Sequence, residues 1–175
     1  DLIYKYLKAG HNQYAPMPGA PALRQTIAEV VTKTYNRPTD FETEVTVTAG
    51  GTEALFSAIA ALVSEKDEVI VFDPAYDSYS PSIRLNGGIP KHISLKPPHF
   101  AIDWQQVKDT VTPRTRLIIV NTPHNPTGSI LREADLKQLE AIAQAHNIIV
   151  LSDEVYERII FDGHSHESVL KYPGL

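Results

Sequence analysis

Residues 116–128 read RLIIVNTPHNPTG and residues 148–156 read IIVLSDEVY. Each carries an unbroken apolar run, 117–120 and 148–151, followed by a polar cluster. A strand with one face in water alternates apolar and polar residues, whereas one covered on both faces reads as a continuous apolar run. Strands are therefore predicted at 116–121 and 148–152, in a mostly parallel sheet sandwiched by helices, which is the α/β class.

The same rhythm extends outward. Residues 132–146 carry helical spacing between the two strands. Towards the amino terminus, a strand is predicted at 89–95 and a short helix near 103–111, where Asp103 and Gln106 suit a capping box. A further strand is predicted at 68–72, a helix near 77–86 stopped at Asn86-Gly87-Gly88, a mostly apolar helix at 52–63, and a β-branched strand at 45–49 (VTVTA). A helix from Pro21 ends at Asn36-Arg37-Pro38, and an amphipathic stretch containing Leu2, Ile3, Tyr6 and Leu7 stops at Gly10. No internal repeat or linker interrupts this order.

The 175 residues are 42% hydrophobic and 21% charged, enough for one sizeable core. No apolar run, those at 117–120 and 148–151 included, is long enough to cross a bilayer. With 21 acidic residues against 16 basic ones, the chain lacks the basic footprint that nucleic acid or an anionic membrane needs, so small molecules are the favoured partners. The absence of cysteine excludes disulfides, thiolate metal sites and thiol nucleophiles. The histidines show no metal-binding spacing, and no G-x-S-x-G elbow is present, so no metal site is expected. Cytoplasm is the default compartment. Both ends are abrupt, which leads us to expect a piece of a larger protein.

In open parallel sheets, ligands bind outside the carboxyl ends of the strands. Four polar clusters fall there: Gly50-Gly51-Thr52, Asp73-Pro74-Ala75-Tyr76, Asn121 to Gly128, and Asp153-Glu154-Val155-Tyr156. Gly50-Gly51-Thr52 opens a helix and suits a phosphate, or is a tight turn with a threonine cap. Asp153 closes an apolar strand and calls for a cationic partner such as a protonated ring nitrogen, or else caps a turn. Glu154 points to the opposite face, which argues against a paired-carboxylate hydrolase. Asn125 is either a ligand donor or a turn residue. Tyr76 and Tyr156 either stack on a flat ligand and offer a phenol, or simply pack.

Five ordered segments carry a resemblance: Asn12-Gln13-Tyr14-x-Pro16-x-x-Gly19, Val47 to Ala54, Asp73-Pro74-x-Tyr76, Asn121-Thr122-Pro123-His124-Asn125-Pro126-Thr127-Gly128, and Ser152-Asp153-Glu154-Val155-Tyr156. From about Asn12 to Phe161 the chain resembles the class I/II aminotransferases, pyridoxal-phosphate enzymes of fold type I. The runs at 12–16, 73–79 and 95–100 resemble the methionine and kynurenine aminotransferase branch. The resemblance implies that Gly51 and Thr52 hold the phosphate of pyridoxal 5'-phosphate and that Tyr76 stacks on its ring. It also implies that Asn125 and Tyr156 meet the ring hydroxyl and that Asp153 meets the ring nitrogen. Tyr14 would reach the cofactor phosphate of the neighbouring subunit, implying a homodimer with shared sites.

The domain arrangement implied is part of a large cofactor-binding domain over 1–175, with a helical segment at 1–36 and the sheet core at 44–161. The family's Schiff-base lysine and small domain are expected beyond residue 175, so no catalytic residue is assigned here and the fragment alone is expected to be inactive. The function implied for the whole protein is transfer of an amino group from an amino acid, methionine or an aromatic one, to a 2-oxo acid. A cysteine-conjugate β-lyase, the non-catalytic sensing domain of a transcription regulator, and a generic nucleotide-binding domain are the competing expectations.

Overall fold

The computed structural model describes residues 1–175. Its helices are α1 (Leu2–Lys8), α2 (Pro21–Tyr35), α3 (Gly51–Leu62), α4 (Tyr79–Leu85), α5 (Trp104–Thr110) and α6 (Glu133–His146). Its strands are β1 (Glu68–Asp73), β2 (Ile89–Ser94), β3 (Thr115–Asn121) and β4 (Ile149–Asp153). All four strands are parallel, in the order β2-β1-β3-β4. This is the α/β sheet that the apolar runs predict.

Alternation along each strand sorts the core onto two faces. Val69, Val71, Leu117 and Ile119 pack with Leu55 and Ile59 of α3 and with Tyr79 and Ile83 of α4. Ile70, Phe72, Ile118 and Val120 pack on the other face with Val107 of α5 and Leu136, Leu139 and Ile142 of α6. Each fully buried isoleucine or leucine contributes about 1.5–3 kcal/mol by leaving water.

From β1 the chain steps to β2 on one side, then crosses to β3 and β4 on the other. The direction reverses between β1 and β3, and such a reversal leaves a crevice at the carboxyl ends. The register Asn121↔Asp153 sets the polar last residues of β3 and β4 side by side.

The chain divides into two compact units, residues 1–48 and 49–175. In the first, Arg24 of α2 is buried and donates to the carbonyls of Phe41, Glu42 and Val45. Gly19, at φ +106°, lies against Val47, where an added Cβ would come within 2.7 Å of the valine Cβ.

The strand expected at 45–49 does not form. Residues 45–48 carry no ladder; the Val47 N–H donates to the Pro18 carbonyl and the Val45 carbonyl accepts from Arg24. β-Branched residues favour an extended backbone, but a strand also needs a neighbour to take its polar groups, and a loop and a guanidinium take these. At α5, Asp103 accepts from the Gln105 and Gln106 N–H groups and caps the helix as expected. Residues 155–161 form a turn and loop.

Candidate functional site

A cavity of about 190 Å³ opens at the carboxyl ends of the strands on the α3/α4 face. Gly51, Thr52, Tyr76, Asn125, Asp153 and Tyr156, all singled out from the sequence, line it together, joined by Asn121, Leu55 and Val155. Tyr14 lies in the amino-terminal unit, in the loop before α2, with its ring fully exposed. A larger cavity of about 560 Å³ opens on the α5/α6 face, where apolar groups including Phe72, Leu95, Phe100 and Leu131 alternate with polar ones such as His99, His124, Arg132 and Asp135. The smaller cavity gathers the carboxylate, amide, phenol and helix-start donors singled out from the sequence, which makes it the candidate site.

One end of this cavity is the start of α3. Gly50 adopts φ +113°, a conformation that glycine takes without steric cost, and as N-cap it has no side chain to accept from the first-turn N–H groups. An added Cβ at Gly51 would meet nothing within 4 Å, so there is room before the helix for an anion. Thr52 Oγ1 lies 3.1 Å from the Tyr76 hydroxyl, bringing two further hydroxyls to the same end.

The other end is the carboxylate of Asp153. Its Oδ2 accepts from the Tyr79 hydroxyl at 2.7 Å and its Oδ1 from the Val155 N–H at 3.2 Å. Tyr79 is only 3% exposed; burial, and then its bond to Asp153, push its phenol well above the usual range, so it stays a neutral donor. Its ring meets that of Tyr76 edge to face, with centroids 5.7 Å apart. Asp153 thus has two neutral donors and an open side toward the cavity.

Asn121 joins the loop after β3 to the end of β4. Its Nδ2 donates to the Asp153 carbonyl at 2.8 Å, and its Oδ1 accepts from the Asn125 N–H at 2.6 Å. The following turn closes on itself through the His124 ring and Thr127 Oγ1 at 2.8 Å, with burial lowering the His124 pKa. Asn125 is therefore carried into the cavity wall by a loop whose backbone is anchored on Asn121.

Sequence reasoning passed over Tyr79 and gave Asn121 no individual role. Spacing offers one signal for each: Tyr79 follows Tyr76 by three residues at a helix start, and Asn121 ends its strand on the face where Leu117 and Ile119 point. Glu154, by contrast, pairs on the other side with His166 and Ser152, as alternation predicts.

The family model for aminotransferase class I and II matches residues 5–174. The chain belongs to this aminotransferase family. It is 51% identical over 175 residues to the methionine aminotransferase of Escherichia coli K12, covering all of this chain and 45% of that protein. It is 37% identical to rat kynurenine–oxoglutarate transaminase 1, covering 94% of this chain and 41% of the relative. A crystal structure of an Escherichia coli protein with methionine aminotransferase function superposes with a TM-score of 0.93 at 50% identity, covering 98% of this chain and 45% of that one. The chain thus spans somewhat under half the length of these relatives.

Proposed function

We propose that the protein carrying this chain is a pyridoxal-5'-phosphate-dependent aminotransferase that moves an amino group from an amino acid, methionine or an aromatic one, to a 2-oxo acid. The observation that carries this reading is the single cavity lined by Gly51, Thr52, Tyr76, Asn125, Asp153 and Tyr156. Its donor set fits the cofactor: an open helix start for an anion at one end, an aromatic ring on the wall, an amide and a phenol, and a carboxylate at the other end.

In this reading the α3 N-terminus and the Thr52 hydroxyl bind the phosphate, with the helix dipole adding to the attraction. Tyr76 offers its ring face to the pyridine, and Asn125 and Tyr156 donate to the ring oxygen. Asp153 holds the proton on the ring nitrogen, and Tyr79 and Val155 keep that carboxylate aimed. When bound, the cofactor supplies an electron sink for the charge left by a departing α-proton, and the protein's part is to orient it and tune it. The lysine that holds the cofactor lies beyond residue 175, and residues 1–175 form part of the large domain. Tyr14 serves the neighbouring subunit of a homodimer. No helix is long and apolar enough to cross a membrane, and we place the enzyme in the cytoplasm.

The full-length protein tests the reading. It is expected to purify with the cofactor's visible absorption, to lose activity on borohydride treatment, and to consume methionine or an aromatic amino acid only when a 2-oxo acid is supplied. Ammonia and a 2-oxo acid released without an acceptor would identify a β-lyase, and a colourless protein unaffected by borohydride would overturn the reading.

A further inference from the structure

Glu154 follows Asp153 and turns to the other face of the sheet. There its Oε1 accepts from Ser152 Oγ at 2.7 Å and from the Val169 N–H at 3.1 Å. Its Oε2 lies 2.7 Å from His166 Nε2. Only 14% of the Glu154 side chain and 8% of the His166 side chain reach solvent. Burial pushes the Glu154 carboxyl up, but hydrogen bonds from His166, Ser152, Ser168 and Val169 outweigh it and hold the group below the usual range. A carboxylate only accepts, so Nε2 carries the proton. The other ring nitrogen is buried and makes no hydrogen bond, so the imidazole is committed to Glu154.

The residues between this pair form turn and loop without a ladder or helix of their own. Such a segment has little internal resistance to displacement and depends on its closing contacts. Here Glu154 clasps His166 and Val169 and closes a loop that contains Tyr156. On its amino side Glu154 is bonded directly to Asp153. Two residues of the cavity therefore flank one buried anchor that does not itself enter the cavity.

We propose that the Glu154–His166 pair is a positioning device for the reaction, pinning the end of β4 and the base of the following loop so that Asp153 and Tyr156 face the cavity together. This inference rests on the functional reading above. Neither Glu154 nor His166 touches the cofactor cavity, and both act through their neighbours.

The test uses the full-length protein, with pyridoxal 5'-phosphate titrated into the apoprotein and the pH titration of the bound visible band as a second readout. Glu154→Ala is expected to weaken cofactor affinity about tenfold or more, as loss of a charge-assisted buried hydrogen bond would, and to shift the titration of the band. Glu154→Gln keeps the size and the acceptor for Ser152 and Val169, its amide N–H donating to His166 Nε2 once the ring proton moves to Nδ1, and is expected to recover affinity to within about threefold. Glu68→Gln, at the opposite end of the sheet, is the control: it is expected to lower the melting temperature and leave affinity and band unchanged. If Glu154→Ala does not fold, His166→Gln decides the matter, with an expected loss of about threefold. Unchanged affinity and band in the Glu154 and His166 variants, with only the melting temperature reduced, would overturn the inference alone. A wild-type protein that takes up no pyridoxal phosphate would overturn the functional reading and this inference with it.

Discussion

Two carboxylates mark opposite ends of the same sheet, and their surroundings differ in kind. At the amino end, Glu68 is 2% exposed and is met by the Arg114 guanidinium at 2.9 Å, by Lys91 at 4.0 Å and by the Thr112 hydroxyl at 2.7 Å. At the carboxyl end, Asp153 receives only neutral donors, Tyr79 and the Val155 N–H, and borders a cavity. A carboxylate whose cations come from its own chain is a structural feature. One given neutral donors and space has room for a cation brought by a ligand, the role the proposed function gives Asp153.

This contrast breaks most visibly at Asp153. Asp153→Asn removes the charge and keeps the shape, and is expected to reduce kcat/KM of the full-length enzyme about a thousandfold while changing its melting temperature little. A variant that retains wild-type turnover would place Asp153 in the same structural class as Glu68.

Glu68→Gln is expected to act on the opposite quantity, costing about 1–3 kcal/mol of stability in denaturant titrations with kcat/KM unchanged. Its carboxyl is held low chiefly by the Thr112 hydroxyl; burial opposes this, and Arg114 and Lys91 add to the lowering. A depressed folded-state pKa adds stability that is fully present above the unfolded value, about 4.3, and is lost as pH falls through the folded one. The wild-type melting temperature should therefore fall below about pH 4, and more steeply than that of Glu68→Gln.

Smaller effects sharpen the picture at the cavity. Tyr79→Phe deletes one donor to Asp153 and leaves the ring in its edge-to-face packing, so cofactor affinity should weaken about tenfold, read by titration of the apoprotein. Thr52→Ala removes one hydroxyl while the helix start stays in place, and should weaken affinity by about threefold. A larger loss at Thr52 than at Tyr79 would shift the weight of binding to the phosphate end.

Much of this architecture was legible in the amino-acid order. The apolar runs at 117–120 and 148–151 announced strands buried on both faces, and alternation placed Asp153 and Glu154 on opposite sides. The strand expected at 45–49 fails because β-branched composition reports local backbone preference and is silent about partners. The Tyr79 contact with Asp153 is not legible in the sequence because it spans 74 positions and depends on where α4 packs. Asn121 was visible in its motif, yet its work is to bridge Asp153 and Asn125, which only the β3–β4 register brings within reach.

By itself the sequence determined the order of the four sheet strands and the helices around them, the face each of those strand residues takes, and the family, because periodicity and ordered motifs are written along the chain. The tertiary structure decided which polar groups meet. Convergence of Thr52, Tyr76, Asn121 and Asp153 follows from ladder register and from the reversal of strand order between β1 and β3, and these arise from hydrogen bonding and packing between segments far apart in sequence.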